Sequence, residues 1–371
     1  MNPARPVERS GQLDLSAIVI TRNEEGNIED VIQAILTALD RARALGVLSS
    51  YEVILVDSAS TDQTVNRARH FPIHIVRLRP SWPLSAGAGR ATGCRIARGR
   101  FFLFVDGDYI IEENWLPIAL NVMHDSTVAG VCGVDLEEIT GHTVLAQRWA
   151  QAQSVPPKGM SEIDAIPVGI VRRSSYEHVG GLNPFLKGGE DRDLAFRLLE
   201  AGWHLFRTAE PMGTHRFASA GHPMTYLEYY RSVAFWSLGD GQACRMRWPE
   251  PPLRRRFLRR YATARFLIHD LQLLGVLVLL LAHLFVVLTS VVALFALLLT
   301  DVALLLMIRR WGRLHNWDWR ETFYELQGLI YGPFRQAFFA IGFLKHTAAA
   351  EQYPRDFEVV QTNEVPHHAR N

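Results

Sequence analysis

The sequence predicts an α/β fold, with a mostly parallel sheet flanked by helices and a C-terminal set of apolar helices. Three observations predict it. Strand-length apolar runs alternate with stretches of helical period from residue 15 to residue 134. The run Phe101–Val105 is continuously apolar, as suits a strand buried on both faces, and stops abruptly at Asp106-Gly107-Asp108. After residue 270 an almost uninterrupted apolar block runs from Leu273 to Ile308, with arginines on both sides.

In chain order, Leu15–Ile20 reads as a first buried strand entering the polar loop Thr21-Arg-Asn-Glu-Glu25. Ile28, Val31, Ile32, Ile35, Leu36 and Leu39 then recur at helical spacing. Tyr51–Val56 is a second strand, ending in Asp57 and followed by a helix through Ala68 with Ser60 or Thr61 as its cap. Asp62 is accounted for by the dipole of that helix, whereas Asp57 sits at the strand tip and is not needed for the cap. His74–Leu78 is a third strand. Ser85–Gly93, rich in small residues, opens a helix to Ala97, and its glycines serve either phosphate binding or close packing. Arg90 is the charge there that can meet a phosphate. Phe101–Asp108 is the fourth strand and its loop, Asn114–Met123 a helix, Val128–Val134 a fifth strand, and Ala165–Val171 a further one.

In an open α/β sheet, ligands bind at the carboxyl ends of the strands. Two carboxylates there cost desolvation unless a positive partner meets them. For Asp106 and Asp108 the economical partner is a divalent cation that also holds a diphosphate. The helix from Gly189 to Leu199 starts with Glu190, Asp191 and Asp193, more acid than a cap requires, and a carboxylate at a site mouth suits a general base. His215, after the next strand, is a candidate metal ligand.

The formal net charge of +1 implies no polyelectrolyte partner, and nucleic acid is not expected. The three cysteines, Cys94, Cys132 and Cys244, form no paired spacing, which argues for a reducing compartment and against a disulfide framework or zinc ribbon. The first thirteen residues are polar and show no signal-peptide pattern.

Five motifs in order resemble the family 2 glycosyltransferases with the GT-A fold: Ile18-Val-Ile-Thr-Arg-Asn-Glu-Glu-Gly-Asn-Ile28, Ile54-Leu-Val-Asp-Ser-Ala-Ser-Thr-Asp-Gln-Thr64, Asp106-Gly-Asp108, Val179-Gly-Gly-Leu-Asn-Pro-Phe185 and Gly189-Glu-Asp-Arg-Asp-Leu194. The resemblance covers roughly residues 14 to 217. It implies that Thr21, Glu24 and Asp57 hold the base and ribose of a sugar nucleotide, that Arg90 lies near the diphosphate, and that Asp106 contacts ribose and metal. Glu190 joins the substrate-binding set. Asp108 and His215 become metal ligands and Asp191 the catalytic base. There are departures: Ile20 stands where a proline is usual, Ser58 where a second acid is usual, and Ala91 where an asparagine is usual. No Gln-x-x-Arg-Trp motif is present, which disfavours a processive synthase.

Leu273–Ile308 as one helix would be about 54 Å long at ~1.5 Å per residue, against a bilayer core of about 30 Å. Arginines before and after it place both flanks on the cytoplasmic side, so two spans bending near Thr289-Ser290 fit better. Thr322–His346, broken at Gly328, Gly332 and Pro333, reads as an interfacial helix pair. The arginines from 245 to 265 suit a membrane anchor, anionic headgroups or a lipid-phosphate acceptor. The expected organisation is a disordered N-terminus (1–13), a GT-A catalytic domain (14–240), a basic juxtamembrane segment (241–270), a transmembrane hairpin (271–310), interfacial amphipathic helices (311–352) and a mobile tail (353–371).

The expected function is an inverting glycosyltransferase dependent on Mn²⁺ or Mg²⁺. It would move sugar from a UDP- or GDP-linked donor to a lipid-linked or glycan acceptor at the cytoplasmic face of the membrane, in contact with membrane lipids. A nucleotidyltransferase-like enzyme on a related sheet and a non-catalytic membrane scaffold are the alternatives.

Overall fold

The computed structural model describes residues 13–138, 155–216, 226–261 and 319–363, together with 274–275, 277–284, 299 and 302. In chain order the elements are β1 (Leu13–Thr21), α1 (Ile28–Ala44), β2 (Tyr51–Asp57), α2 (Thr64–Ala68), β3 (His74–Arg77), α3 (Ala86–Ile96), β4 (Gly99–Asp106), β5 (Tyr109–Ile111), α4 (Trp115–Val122) and β6 (Val128–Glu138). There follow β7 (Ser161–Glu162), β8 (Gly169–Arg172), α5 (Arg173–His178), α6 (Glu190–Glu200), β9 (His204–Arg216), α7 (Tyr226–Met246), α8 (Pro251–Tyr261), α9 (Trp319–Leu344) and β10 (Glu358–Gln361).

The strands form one sheet in the order β10-β3-β2-β1-β4-β8-β6-β9-β5, with β7 on β9. The expectation of a mostly parallel sheet needs correcting. β3, β2, β1 and β4 are parallel neighbours, and so are β6 and β9, but β8 runs antiparallel to both β4 and β6, and β10, β5 and β7 are antiparallel too. The sheet is mixed because β8 enters between β4 and β6 from the opposite direction.

The alternation of side chains along β1 and β4 builds two cores. Leu15, Ala17 and Val19, with Phe101, Leu103 and Val105, pack against α1 and α4. Ile18, Phe102 and Phe104 pack against α3, α5 and α6. Covering on both faces is why these strands read as unbroken apolar runs. Helix α3 lies close on the sheet, since a Cβ at Gly93 would stand 2.3 Å from Ile18 Cγ2. A third cluster, Leu186, Phe196, Ala243, Cys244, Leu253 and Phe257, joins α6 to α7 and α8.

Three further expectations change. Thr322–His346 is not a broken pair: α9 is continuous from Trp319 to Leu344 with Pro333 inside it. It packs on α7, and the approach needs glycine. A Cβ at Gly241 would meet the Phe339 carbonyl oxygen at 2.0 Å, and one at Gly342 the Leu238 carbonyl oxygen at 2.0 Å. Residues 353–363 of the expected mobile tail are ordered, with Tyr353 buried and β10 paired with β3, and the rest of that tail lies outside the described residues. Much of the basic segment is tied to protein. Arg247 binds Asp193, Arg256 binds Glu200, and Arg245 donates to the carbonyls of Phe343 and Leu344. The expected hairpin at 271–310 lies almost entirely outside the described residues. Among the described residues no helix is long and apolar enough to cross a membrane.

Candidate active site

Parallel pairing sets the tips of β2, β1 and β4 in a row. Thr21 is in register with Asp57, and Ile20 with Asp106. The loops after β1 and β2 are cross-braced: Asn23 N donates to Ser60 Oγ (2.9 Å), Glu24 N to Thr64 Oγ1 (2.8 Å) and Thr61 N to Asn23 Oδ1 (2.8 Å). Ser60 is therefore engaged with the β1 loop, and α2 begins later than expected, at Thr64, without Ser60 or Thr61 as its cap. Asp62 accepts from Thr64 N and Oγ1 and from Glu25 N, so its role is to hold this turn.

Asp57 is fully buried, accepts from Ser60 N and faces Arg77 Nε at 3.1 Å. Burial raises its pKa, against the hydrogen bonds from Ser60 and the Arg77 charge. Thr21 is buried and its hydroxyl has no hydrogen-bond partner among the described residues. Glu24 accepts from Asn27 Nδ2 (2.9 Å), and burial pushes its carboxyl up to about 7.

At β4 the chain turns over Thr21, and Gly107 is required there because a Cβ would stand 2.7 Å from Thr21 Oγ1. The turn sends the two acids to different partners. Asp106 Oδ1 accepts from Arg90 Nη2 (2.6 Å), whereas Asp108 Oδ1 meets His215 Nε2 (3.0 Å). Pairing of β5 with β9 sets Tyr109 opposite His215 and so delivers the histidine. Ligand atoms of Asp106, Asp108 and His215 all lie within 4.8 Å of one another. Two hard oxygen donors and an imidazole fit a divalent cation such as Mn²⁺ or Mg²⁺.

Arg90 is buried and both its terminal nitrogens are on carboxylates, Asp106 and Glu190, each at 2.6 Å. The resemblance places it near a diphosphate; in the structure it lines the cavity and pairs with two acids. Glu190 is likewise buried, and desolvation raises its pKa despite Arg90. Asp193, third of the acids on α6, serves the fold: it binds Arg197 (2.8 Å) and Arg247 (2.8 Å), which hold it ionised against its burial.

Asp191 stays half-buried at the edge of a cavity of about 1000 Å³ that is also lined by Arg90, Asp106, Glu190 and His215. Thr21, Glu24 and Asp57 do not line it; they occupy the neighbouring strand tips. Asp106, which lines the cavity and is in register with Ile20 on β1, connects it to those tips. Sequence reasoning missed Asp135, a cavity residue on β6 that accepts from Tyr109 Oη (2.8 Å), and Arg77, the partner of Asp57. Neither sits in a recognisable pattern; only the register of their strands places them.

Residues 16–150 match the family model for glycosyl transferase family 2. An O-antigen chain rhamnosyltransferase, WbaN, of Salmonella anatum is 26% identical over 205 residues, covering 52% of this chain and 63% of its own. A pre-mycofactocin glycosyltransferase of Mycobacterium tuberculosis is 27% identical over 218 residues, covering 54% of this chain and 42% of its own. The match with these curated relatives thus spans less than two thirds of their length. The solved mannosyltransferase PcManGT from Pyrobaculum calidifontis, in complex with GDP-Man and Mn²⁺, shares the fold at a TM-score of 0.57 and 17% identity, over 88% of this chain and 87% of that one. These matches show a family 2 glycosyltransferase domain at residues 16–150, and the α/β architecture is GT-A-like.

Proposed function

We propose that the protein transfers a sugar, with inversion, from a nucleoside diphosphate sugar to an acceptor hydroxyl. The observation that carries this reading is the meeting of Asp106, Asp108 and His215 at the carboxyl edge of the sheet, with Asp106 and His215 lining the same open cavity as Asp191. Thr21, Glu24 and Asp57 face the nucleoside; the unpartnered Thr21 hydroxyl supports this. A divalent cation held by Asp108 and His215, with Asp106 alongside, would neutralise charge on the departing diphosphate. Asp191 accepts the proton of the acceptor hydroxyl as its oxygen bonds to the anomeric carbon and the bond to the diphosphate oxygen breaks. One displacement with the base opposite the leaving group inverts the anomeric centre. Arg90 keeps Glu190 and Asp106 apart and oriented. UDP- and GDP-linked sugars are the donors to try first; a structural relative was solved with GDP-Man and Mn²⁺. The apolar run Leu273–Ile308 supports attachment to the cytoplasmic membrane face and a lipid-linked or envelope-glycan acceptor.

Sugar release and transfer from UDP- and GDP-sugars, measured with Mn²⁺ and after chelation, tests the reading. Asp191→Asn should lower turnover by about 10²–10⁴-fold with donor binding retained. Asp108→Ala should abolish the response to Mn²⁺. Unchanged turnover in both variants would discard the mechanism, and release of pyrophosphate rather than nucleoside diphosphate would favour a nucleotidyl transfer.

A further inference from the structure

The donor chemistry leaves one wall of the cavity unexplained. Beyond Asp191 the lining passes to α7, α8 and α9 and gathers guanidinium groups, with Arg192, Arg260 and Arg335 facing the same space. One buried carboxylate stands among them. Asp240 is 1% exposed and accepts from Arg192 Nη1 (2.6 and 2.8 Å) and from Tyr261 Oη (2.7 Å), with Arg260 Nε at 3.9 Å. Arg335 lies over the Tyr261 ring, 4.7 Å from its centroid. A further acid, Asp164, is exposed and 3.6 Å from Arg260 Nη1. Asp191, next to Arg192 on α6, also favours its charged form, and the other acids lining the cavity are Asp106, Asp135, Glu162 and Glu190.

Asp240 favours the charged form of Arg192, together with Asp191, and also that of Arg335, which leaves Arg260 the least compensated of the three and the place where an added anion would relieve most repulsion. Burial, then the Arg192 charge, push Arg260 below the ordinary guanidinium range. Nε of Arg192 and Nε of Arg260 are buried without a hydrogen-bond partner among the described residues. Beside this cluster the cavity is aromatic. Phe235 (46% exposed) and Trp236 (40% exposed) stand on α7, and Tyr331 faces them from α9. A guanidinium set next to exposed aromatic surface suits a phosphate joined to an apolar group.

We propose that this wall is an acceptor subsite for a phosphate-bearing amphiphile. Arg260 and Arg335 hold the phosphate, Phe235, Trp236 and Tyr331 cover the adjoining apolar part, and the reacting hydroxyl is presented to Asp191. The proposal rests on the glycosyl-transfer reading and names the acceptor class for the same site. Lipid is favoured over a soluble phosphosugar by the exposed aromatic rim and by the apolar run that follows α8 in the sequence.

The full chain in a non-ionic detergent is titrated calorimetrically with dodecyl phosphate, dodecanol, glucose 1-phosphate and inorganic phosphate. Dodecyl phosphate should bind saturably and at least about tenfold more tightly than the other three. Arg260→Gln and Arg335→Gln should each weaken it about tenfold, the loss of one charged hydrogen-bonding partner, and Trp236→Ala should weaken it as well. Arg255→Gln and Arg259→Gln, exposed on α8, should change nothing. Equal loss in those two controls would mean general charge attraction and overturn the subsite. Equal binding of glucose 1-phosphate or inorganic phosphate would make it a soluble-phosphate site and overturn the lipid acceptor. Binding of UDP- and GDP-sugars by each variant, measured in parallel, separates the two ideas. If the wild type binds no sugar nucleotide, the functional reading fails; if donor binds and dodecyl phosphate does not, the subsite alone fails. The thermal midpoint of each variant shows whether it is folded, and Trp236→Ala decides where an arginine variant is not.

Discussion

Arg90 is one guanidinium between two carboxylates, and the arrangement has an energetic signature. Arg90→Met would strand Asp106 and Glu190 without their cation, and breaking such a buried pair costs about 3–5 kcal/mol. Urea unfolding should register that loss, and adding Glu190→Gln should recover part of it, because one stranded charge is removed. Glu24 offers a pH test. Its folded carboxyl keeps a proton up to about pH 7, whereas in the unfolded chain it loses it near 4.5. Between those values the folded state binds the extra proton, so its contribution is fully present below about pH 4.5 and is lost as pH rises through 7. Thermal midpoints from pH 5 to pH 8 should therefore fall more steeply for the wild type than for Glu24→Gln.

At the scale of elements, the tail is the piece whose removal should matter most. Tyr353 is 4% exposed, donates to the Pro83 carbonyl (2.8 Å), and meets the Phe185 and Trp82 rings edge-on. Tyr353→Ala should cost about 3 kcal/mol by chemical denaturation. Limited proteolysis should then cut near residues 79–85, the loop that Tyr353 braces. Strands β1, β2 and β4 were legible because both faces are covered, and continuous apolar runs say so directly. Helix α9 was misread because Gly332 and Pro333 look like breakers locally. Packing against α7 holds them in one helix, and no local pattern records that partner. Strand β8 was found as a strand, but its direction was not legible, since orientation is set by the neighbours β4 and β6. Of the acids on α6, the pattern showed an excess of charge. Only the contacts of Asp193 with Arg197 and Arg247 separate the structural acid from Asp191.

For the whole molecule, the site was legible where one motif supplies two groups, as at Asp106 and Asp108, and illegible where distant strands meet. Asp135, Arg77 and the Arg192–Arg260–Arg335 cluster come together only through the fold. Membrane attachment is a property of the entire chain and is checked on it. Full-length protein should float with lipid vesicles in a density gradient, and a variant lacking residues 273–308 should stay at the bottom. Flotation of both would move the anchor to the aromatic rim of α7 and α9.

Strand β10 pairs with β3 across 283 positions of sequence, for Val359 sits opposite Val76. During synthesis β3 is therefore an open border, ready to accept any passing extended segment, until β10 has emerged. The greasy stretch 273–308 emerges before that border can close. Whatever receives that stretch must act on a chain whose sheet is still unfinished, which makes the arrival of β10 the step that commits the molecule to its own fold rather than to a neighbour's.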